Sequence, residues 1–266
     1  MNAPTPGFDP EAHRRWKTEA EFFDSEVYDA SAVSDAVLKR YRACSNPNLR
    51  AEFGFSALGD LRGKRIFDLG CGGGANSMIL AALGAQVTGL DISPKAIAAA
   101  QEKARASGLA GRCEFHCMPI ELFSSPDQFD ILYGNSVLHH LIPLLEPTLL
   151  GLKRLVKPGG MYFFQEPLAL SATMRRVRKL FPPNPNATPD ERPLQQEELA
   201  IIVRCFDSVE CKYFELFDRL TKFYMSSYEN AAPPLRALSG TFAAIDRAAF
   251  AVGFKHFASY VAITAR

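Results

Sequence analysis

Hydrophobic positions along the chain change rhythm repeatedly, and each change marks an element. Trp16, Ala20, Phe23 and Val27 stand at i, i+4, i+7 and i+11, which predicts a helix from about Glu11. Val33, Val37, Leu38 and Tyr41 continue the pattern in a second helix begun by Ser31 or Ser34 and broken by Pro47. Ile66 to Leu69 is a short apolar run between Gly63 and Gly70, the signature of a buried strand. Asn76 to Leu83 is helical and stopped by Gly84; Gln86 to Leu90 is a second strand ending at Asp91. Ser93-Pro94 opens a helix that runs to Ala106, and Arg112 to Cys117 and Phe129 to Gly134 are strands three and four. Leu149 to Val156 reads as a helix, K-P-G-G as a tight turn, and Met161 to Gln165 as strand five. Leu194 to Phe206 is helical, Val209 to Phe217 is strand six, Leu220 to Tyr228 and Pro234 to Val252 are helical, and Phe254 to Ile263 is the last strand. Strands alternating with helices in this way predict an α/β fold, a doubly wound and mostly parallel sheet of about seven strands.

The first strand, the glycines after it and the second strand form a β–loop–α–β unit that suits a nucleotide-like ligand. Glycines let the backbone approach such a ligand closely, and the following helix N-terminus offers unpaired N–H groups. Gly70-Cys71-Gly72-Gly73-Gly74-Ala75 satisfies the dinucleotide pattern G-x-G-x-x-G/A, with Asp91 placed to hold a ribose hydroxyl. The same residues satisfy D-x-G-x-G-x-G, in which Asp68 at the strand end suits a cation and would repel a pyrophosphate.

Four segments in order, I-F-D-L-G-C-G-G-G, T-G-L-D-I-S, F-D-I-L-Y-G-N-S-V-L-H-H-L and L-K-R-L-V-K-P-G-G-M-Y-F-F, resemble the class I S-adenosylmethionine-dependent methyltransferase family of the small-molecule type. The resemblance covers roughly Leu61 to Pro167. It implies a Rossmann-like sheet whose final strand is antiparallel, N-terminal helices and a helical lid insertion, with S-adenosylmethionine as cofactor. Asp68 and the Gly70–Gly74 backbone, with Cys71 and Gly72 in it, would hold the methionine part, Asp91 the ribose, and Met118, Pro119 and Ile120 the adenine, with Asn76 and Ile92 also binding the cofactor. An acid expected at the end of strand three is absent, and Glu121 is the nearest carboxylate. Asn135 and Ser136 end strand four beside the methyl donor. His139 and His140 follow as catalytic candidates, because imidazole titrates near neutrality and can take a proton from a hydroxyl. Quinone-type O-methyltransferases of the family resemble S-E-V-L-E-H here, where acids and a histidine hold a divalent metal. This chain lacks those acids, so no metal is expected.

Composition narrows the partners. Thirty basic against twenty-nine acidic residues provide no field for gripping nucleic acid. The six cysteines show no C-x-x-C pair, which predicts reduced thiols and a cytoplasmic protein. No apolar run reaches membrane-span length, so stable membrane insertion is not expected. The chain divides into a tail (1–10), a helical cap (11–50) whose Phe22, Tyr28 or Tyr41 could reach substrate, a cofactor-binding core (51–167), a lid with strand six (168–253) and a final strand (254–266). In the lid, Met174, Val177 and Phe181 form an apolar stripe against a basic face of Arg175, Arg176, Arg178 and Lys179, and Arg192 sits in a proline-rich loop. Twelve of the twenty-eight Phe and Tyr residues lie after position 200, which suggests an apolar or aromatic acceptor roofed by that region. The expected reaction is methyl transfer to a small molecule, most favourably at oxygen. N- or C-methylation, an NAD-dependent oxidoreductase and a non-catalytic nucleotide-binding protein are the alternatives.

Overall fold

In the computed structural model, residues 10–180, 192–225, 228 and 230–266 are described. Seven strands, β1 (Arg65–Leu69), β2 (Gln86–Asp91), β3 (Cys113–Cys117), β4 (Phe129–Asn135), β5 (Val156–Pro167), β6 (Val209–Phe214) and β7 (Tyr260–Ala265), form one sheet in the order β3-β2-β1-β4-β5-β7-β6. The pairs from β3 to β5 are parallel, and β7 runs antiparallel to both β5 and β6. The chain reverses direction of travel across the sheet between β3 and β4, which opens a crevice at the carboxyl ends of β1, β2 and β4.

Alternation along β1 explains the two faces. Ile66 packs with Val87, Ile131, Tyr133 and Phe163 under α3 (Arg50–Ser56) and α4 (Ala75–Ala82). Phe67 and Leu69 point the other way, into a core shared with α6 (Leu145–Leu152) and α8 (Gln196–Cys205). The remaining helices are α1 (Pro10–Ser25), α2 (Asp35–Ala43), α5 (Pro94–Ala106), α7 (Ala172–Leu180) and α9 (Pro233–Ala251). Ser34 is the N-cap of α2, and Ser93 caps α5 by accepting from the Ala96 N–H.

Several boundaries differ from the pattern. The buried stripe Leu145, Leu149 and Leu152 starts α6 a turn earlier than expected, and Val156 already belongs to β5. K-P-G-G is not a turn between elements. It is a bulge inside β5, where Val156 pairs with Phe129 and the next registered residue, Met161, pairs with Ile131. Strand six stops at Phe214 because Glu215 turns with φ +63 and Asp246 accepts the N–H groups of Leu216, Phe217 and Asp218. Asp218–Phe223 and Phe254–Phe257 are short 3-10 helices, so Phe254 precedes the last strand rather than starting it. Helix α3 was not legible as an element, and Val27 lies past the end of α1 and is exposed. On α7, Arg175 and Arg176 are exposed, but Arg178 is buried and donates to the Ser259 carbonyl, so the basic face is narrower than expected. Phe181 lies outside the described residues.

Candidate active site

A cavity of about 410 Å³ opens where β1, β2 and β4 end. Its floor includes Leu69, Gly70, Gly72, Leu90, Asp91, Ile92, Ser136 and Val137, and Met118 to Glu121 form one side. The glycine loop needs its glycines for two separate reasons. Gly70, Gly72 and Gly74 all have positive φ, a region that L side chains rarely adopt. A Cβ on Gly74 would lie 3.1 Å from the Ala100 backbone, whereas one on Gly72 would meet nothing and project into open space. Gly72 therefore leaves bare backbone for a ligand to approach. Its N–H donates to Asp91 Oδ2 at 2.8 Å, and Ser93 N–H donates to Asp91 Oδ1 at 2.9 Å. Each Asp91 oxygen keeps acceptor capacity beyond this one bond, and burial raises the carboxyl above the usual range.

Asp68 does not line the cavity. Strand alternation turns it toward α4, where it is fully covered and accepts from the Ser77 hydroxyl. Burial pushes its carboxyl up to about 7. The expectation of an open, ionised carboxylate at the strand tip thus becomes a buried acid that titrates near neutrality behind the loop. Cys71, Gly74, Asn76 and Asn135 also stand outside the lining, Cys71 because its side chain tucks under the loop against Gly89. Gly70, Gly72, Asp91, Ile92, Met118, Pro119, Ile120 and Ser136 are brought together on the wall as expected.

The two histidines part company. Ser136 takes φ +58 directly after β4, and this reversal turns the chain across the cavity. Glu166, at the end of β5, holds the turn. Its Oε1 accepts from Val137 and Leu138 N–H at 2.9 and 2.8 Å, and its Oε2 lies 2.9 Å from His139 Nδ1. His139 is therefore packed into the scaffold beneath the turn and is absent from the cavity wall, contrary to the catalytic expectation. His140 lies on the wall.

The roof is α1 and the segment after it. Arg15, Trp16, Glu19, Phe22, Phe23 and Tyr28 all face the cavity. Arg15 Nη2 pairs with Glu121 Oε1 at 2.6 Å, which gives Glu121 a partner and a place in the site. At the other end Asp24 Oδ1 accepts from Ser93 Oγ and the Lys95 N–H, joining the helix to the start of α5. Tyr28 packs on Gly73, and its phenol is pushed up to about 12 by burial and by Asp91. Tyr41 instead packs edge-on against Phe55 under the sheet. No described residue of 168–253 lines this cavity, and Arg192 is spent on a paired contact with Glu198. Arg15 and Glu19 were missed because their spacing resembles any solvated i, i+4 charge pair on a packing helix. Among the described residues no group of three His, Cys, Asp or Glu could hold a metal.

A doubly wound sheet with an acid and a bare glycine loop at its switch point is an architecture suited to a nucleoside-like ligand. A family model described as a methyltransferase domain matches residues 60–208, more than half of the chain. The chain belongs to this methyltransferase-domain family. A ubiquinone biosynthesis O-methyltransferase from Bordetella avium is 36% identical over 121 residues, covering 45% of this chain and 48% of that protein. The protein of the same name from Pseudomonas fluorescens is 33% identical over 159 residues, 59% of each chain. The chain thus matches about half the length of these curated relatives. The crystal structure of an S-adenosylmethionine-dependent methyltransferase from Geobacter sulfurreducens with S-adenosylhomocysteine superposes with a TM-score of 0.51 at 20% identity, covering 95% of this chain and 97% of that one, a likeness of fold.

Proposed function

We propose that the protein moves a methyl group from S-adenosylmethionine to a hydroxyl of a small, apolar or aromatic acceptor. The observation that carries this reading is a cavity in which the glycine loop and Asp91 stand opposite His140 under a roof of Trp16, Phe22 and Phe23. S-adenosylmethionine supplies an electrophilic methyl on a sulfonium. Asp91 would accept hydrogen bonds from the ribose hydroxyls, the backbone at Gly70 and Gly72 would hold the methionine part, and Met118 to Ile120 would hold the adenine by apolar contact. Asp68 acts through the loop: a cation arriving above it favours its charged form. The aromatic roof excludes water, and positioning in a dry pocket does most of the work of an in-line transfer. His140 takes the hydroxyl proton. The O-methyltransferase names of the relatives support oxygen as the atom methylated. Helix α1 and the segment after it act as the cap, a role suggested by their residues on the cavity wall.

Incubation with methyl-labelled S-adenosylmethionine and substituted phenols, followed by mass spectrometry, tests this. His140→Asn is expected to lower kcat by roughly 10²-fold or more while the cofactor still binds. Methyl transfer only to amines or carbon, or an unaffected His140→Asn variant, would remove the hydroxyl reading.

A further inference from the structure

Helix α1 does more than roof the cavity. Glu19 Oε2 lies 3.4 Å from His140 Nδ1, an ion-pair distance slightly too long for a hydrogen bond. Both atoms are buried, and neither has a hydrogen-bond partner among the described residues. A carboxylate oxygen and an imidazole nitrogen left unpaired away from water cost free energy, and they face each other. Their approach is fixed by the helix that carries Glu19. The Arg15–Glu121 pair holds α1 one turn before Glu19, and Asp24 ties it to Ser93 and Lys95 little more than one turn after. Phe23, one turn on from Glu19, meets the His140 ring edge-on with centroids 5.2 Å apart. His139 has a different carboxylate, Glu166, so the two histidines do not compete for one acid.

We propose that Glu19 is the positioning residue for His140, a carboxylate delivered by the cap helix that turns a cavity histidine into a general base. This deepens, and rests on, the hydroxyl-methylation reading above. An Nδ1–H directed at Glu19 fixes the imidazole tautomer and leaves the Nε2 lone pair free. Catalytic contacts of this kind are often long without substrate and tighten in the complex. As the acceptor oxygen forms its bond to the methyl carbon, the methyl–sulfur bond breaks and its electron pair stays on sulfur. The hydroxyl proton passes to Nε2, and the resulting imidazolium is stabilised by Glu19, the division of labour that a buried carboxylate performs for a histidine base elsewhere. Because Glu19 rides on α1, the base is assembled only with the cap closed over the cofactor.

The test compares Glu19→Gln, Glu19→Asp and wild type on phenols of graded acidity, from 4-methoxyphenol to 4-nitrophenol, at a pH where the nitrophenol is already ionised. Glu19→Gln is expected to lower kcat for 4-methoxyphenol roughly 10- to 100-fold, to leave 4-nitrophenol within about twofold, and to change KM little. Glu19→Asp should recover part of the loss, and Glu19→Gln should add nothing to His140→Asn. A loss equal across the whole series, a loss of cofactor affinity accounting for it, or no loss at all overturns the role of Glu19. A wild-type enzyme that methylates no hydroxyl in the series or in a metabolite extract overturns the underlying reading instead, and the positioning role falls with it.

Discussion

A single carboxyl shows how much position decides at the residue scale. Unfolded, Asp68 ionises near 3.8; folded, burial under α4 raises it to about 7. A raised carboxyl pKa means that the folded protein keeps a proton the unfolded chain has released. The associated stability is complete below about pH 4 and is lost as pH rises toward 7, at about 1.4 kcal/mol per unit over that window. Urea midpoints of wild type and Asp68→Asn, which keeps the Ser77 contact without the titration, are expected to converge at low pH. Between pH 5 and 7.5 the wild type should lose ground relative to the variant. Parallel curves would show that Asp68 is already charged in the folded state. Asp68 was legible as an acid beside a glycine loop, but the sign of its effect was not. A one-dimensional motif does not tell which face of β1 the third residue takes, nor that Ser77 waits there.

Helix α1 carries the main lesson at the level of elements. Its apolar spacing was plain, and Trp16 and Ala20 are indeed buried. Its polar residues carried no signal that set them apart from solvent-facing charges, yet Arg15, Glu19 and Asp24 each reach across to another element. Asp24→Ala removes the acceptor for Ser93 Oγ and Lys95 N–H and so loosens the cap at the α5 end. Calorimetric titration is expected to show S-adenosylmethionine binding weakened roughly five- to tenfold, the equivalent of about one hydrogen bond. Unchanged affinity would mean that the cap does not close over the cofactor. The histidine pair behaves likewise. Two adjacent residues with the same chemistry were indistinguishable along the chain, and only the Ser136 reversal with the Glu166 anchor sends one under the turn and the other to the wall.

For the molecule as a whole, the sheet order and the family match agree on a protein that a methyl donor should stabilise. A ligand at a hundred times its dissociation constant adds about 2.7 kcal/mol to folding. For a chain of this size that corresponds to roughly 5–10 °C in melting temperature. A thermal scan with S-adenosylmethionine should show such a shift and one with NADH should not; the reverse result would restore the dinucleotide reading of the glycine pattern. Of the aromatic residues after position 200, Tyr213 meets Phe250 and Phe214 meets Phe53 at the β6–β7 edge, and none of the described ones lines the cavity.

Resemblance of four ordered segments pointed to the methyltransferase class, while local spacing was enough for the order of strands and helices and the glycine loop with Asp91 at its far end. Those features depend on contacts between residues near one another in the chain, or on periodicity along one element. Three things depended on residues brought together across elements. These are the burial of Asp68 against Ser77 nine positions on, the placing of His140 on the cavity wall while Glu166 holds His139, and the approach of Glu19 to His140 across more than a hundred positions. Each is a matter of which face a side chain presents after the sheet has closed. Hydrophobic pattern specifies that a face is buried but not what chemistry it meets there.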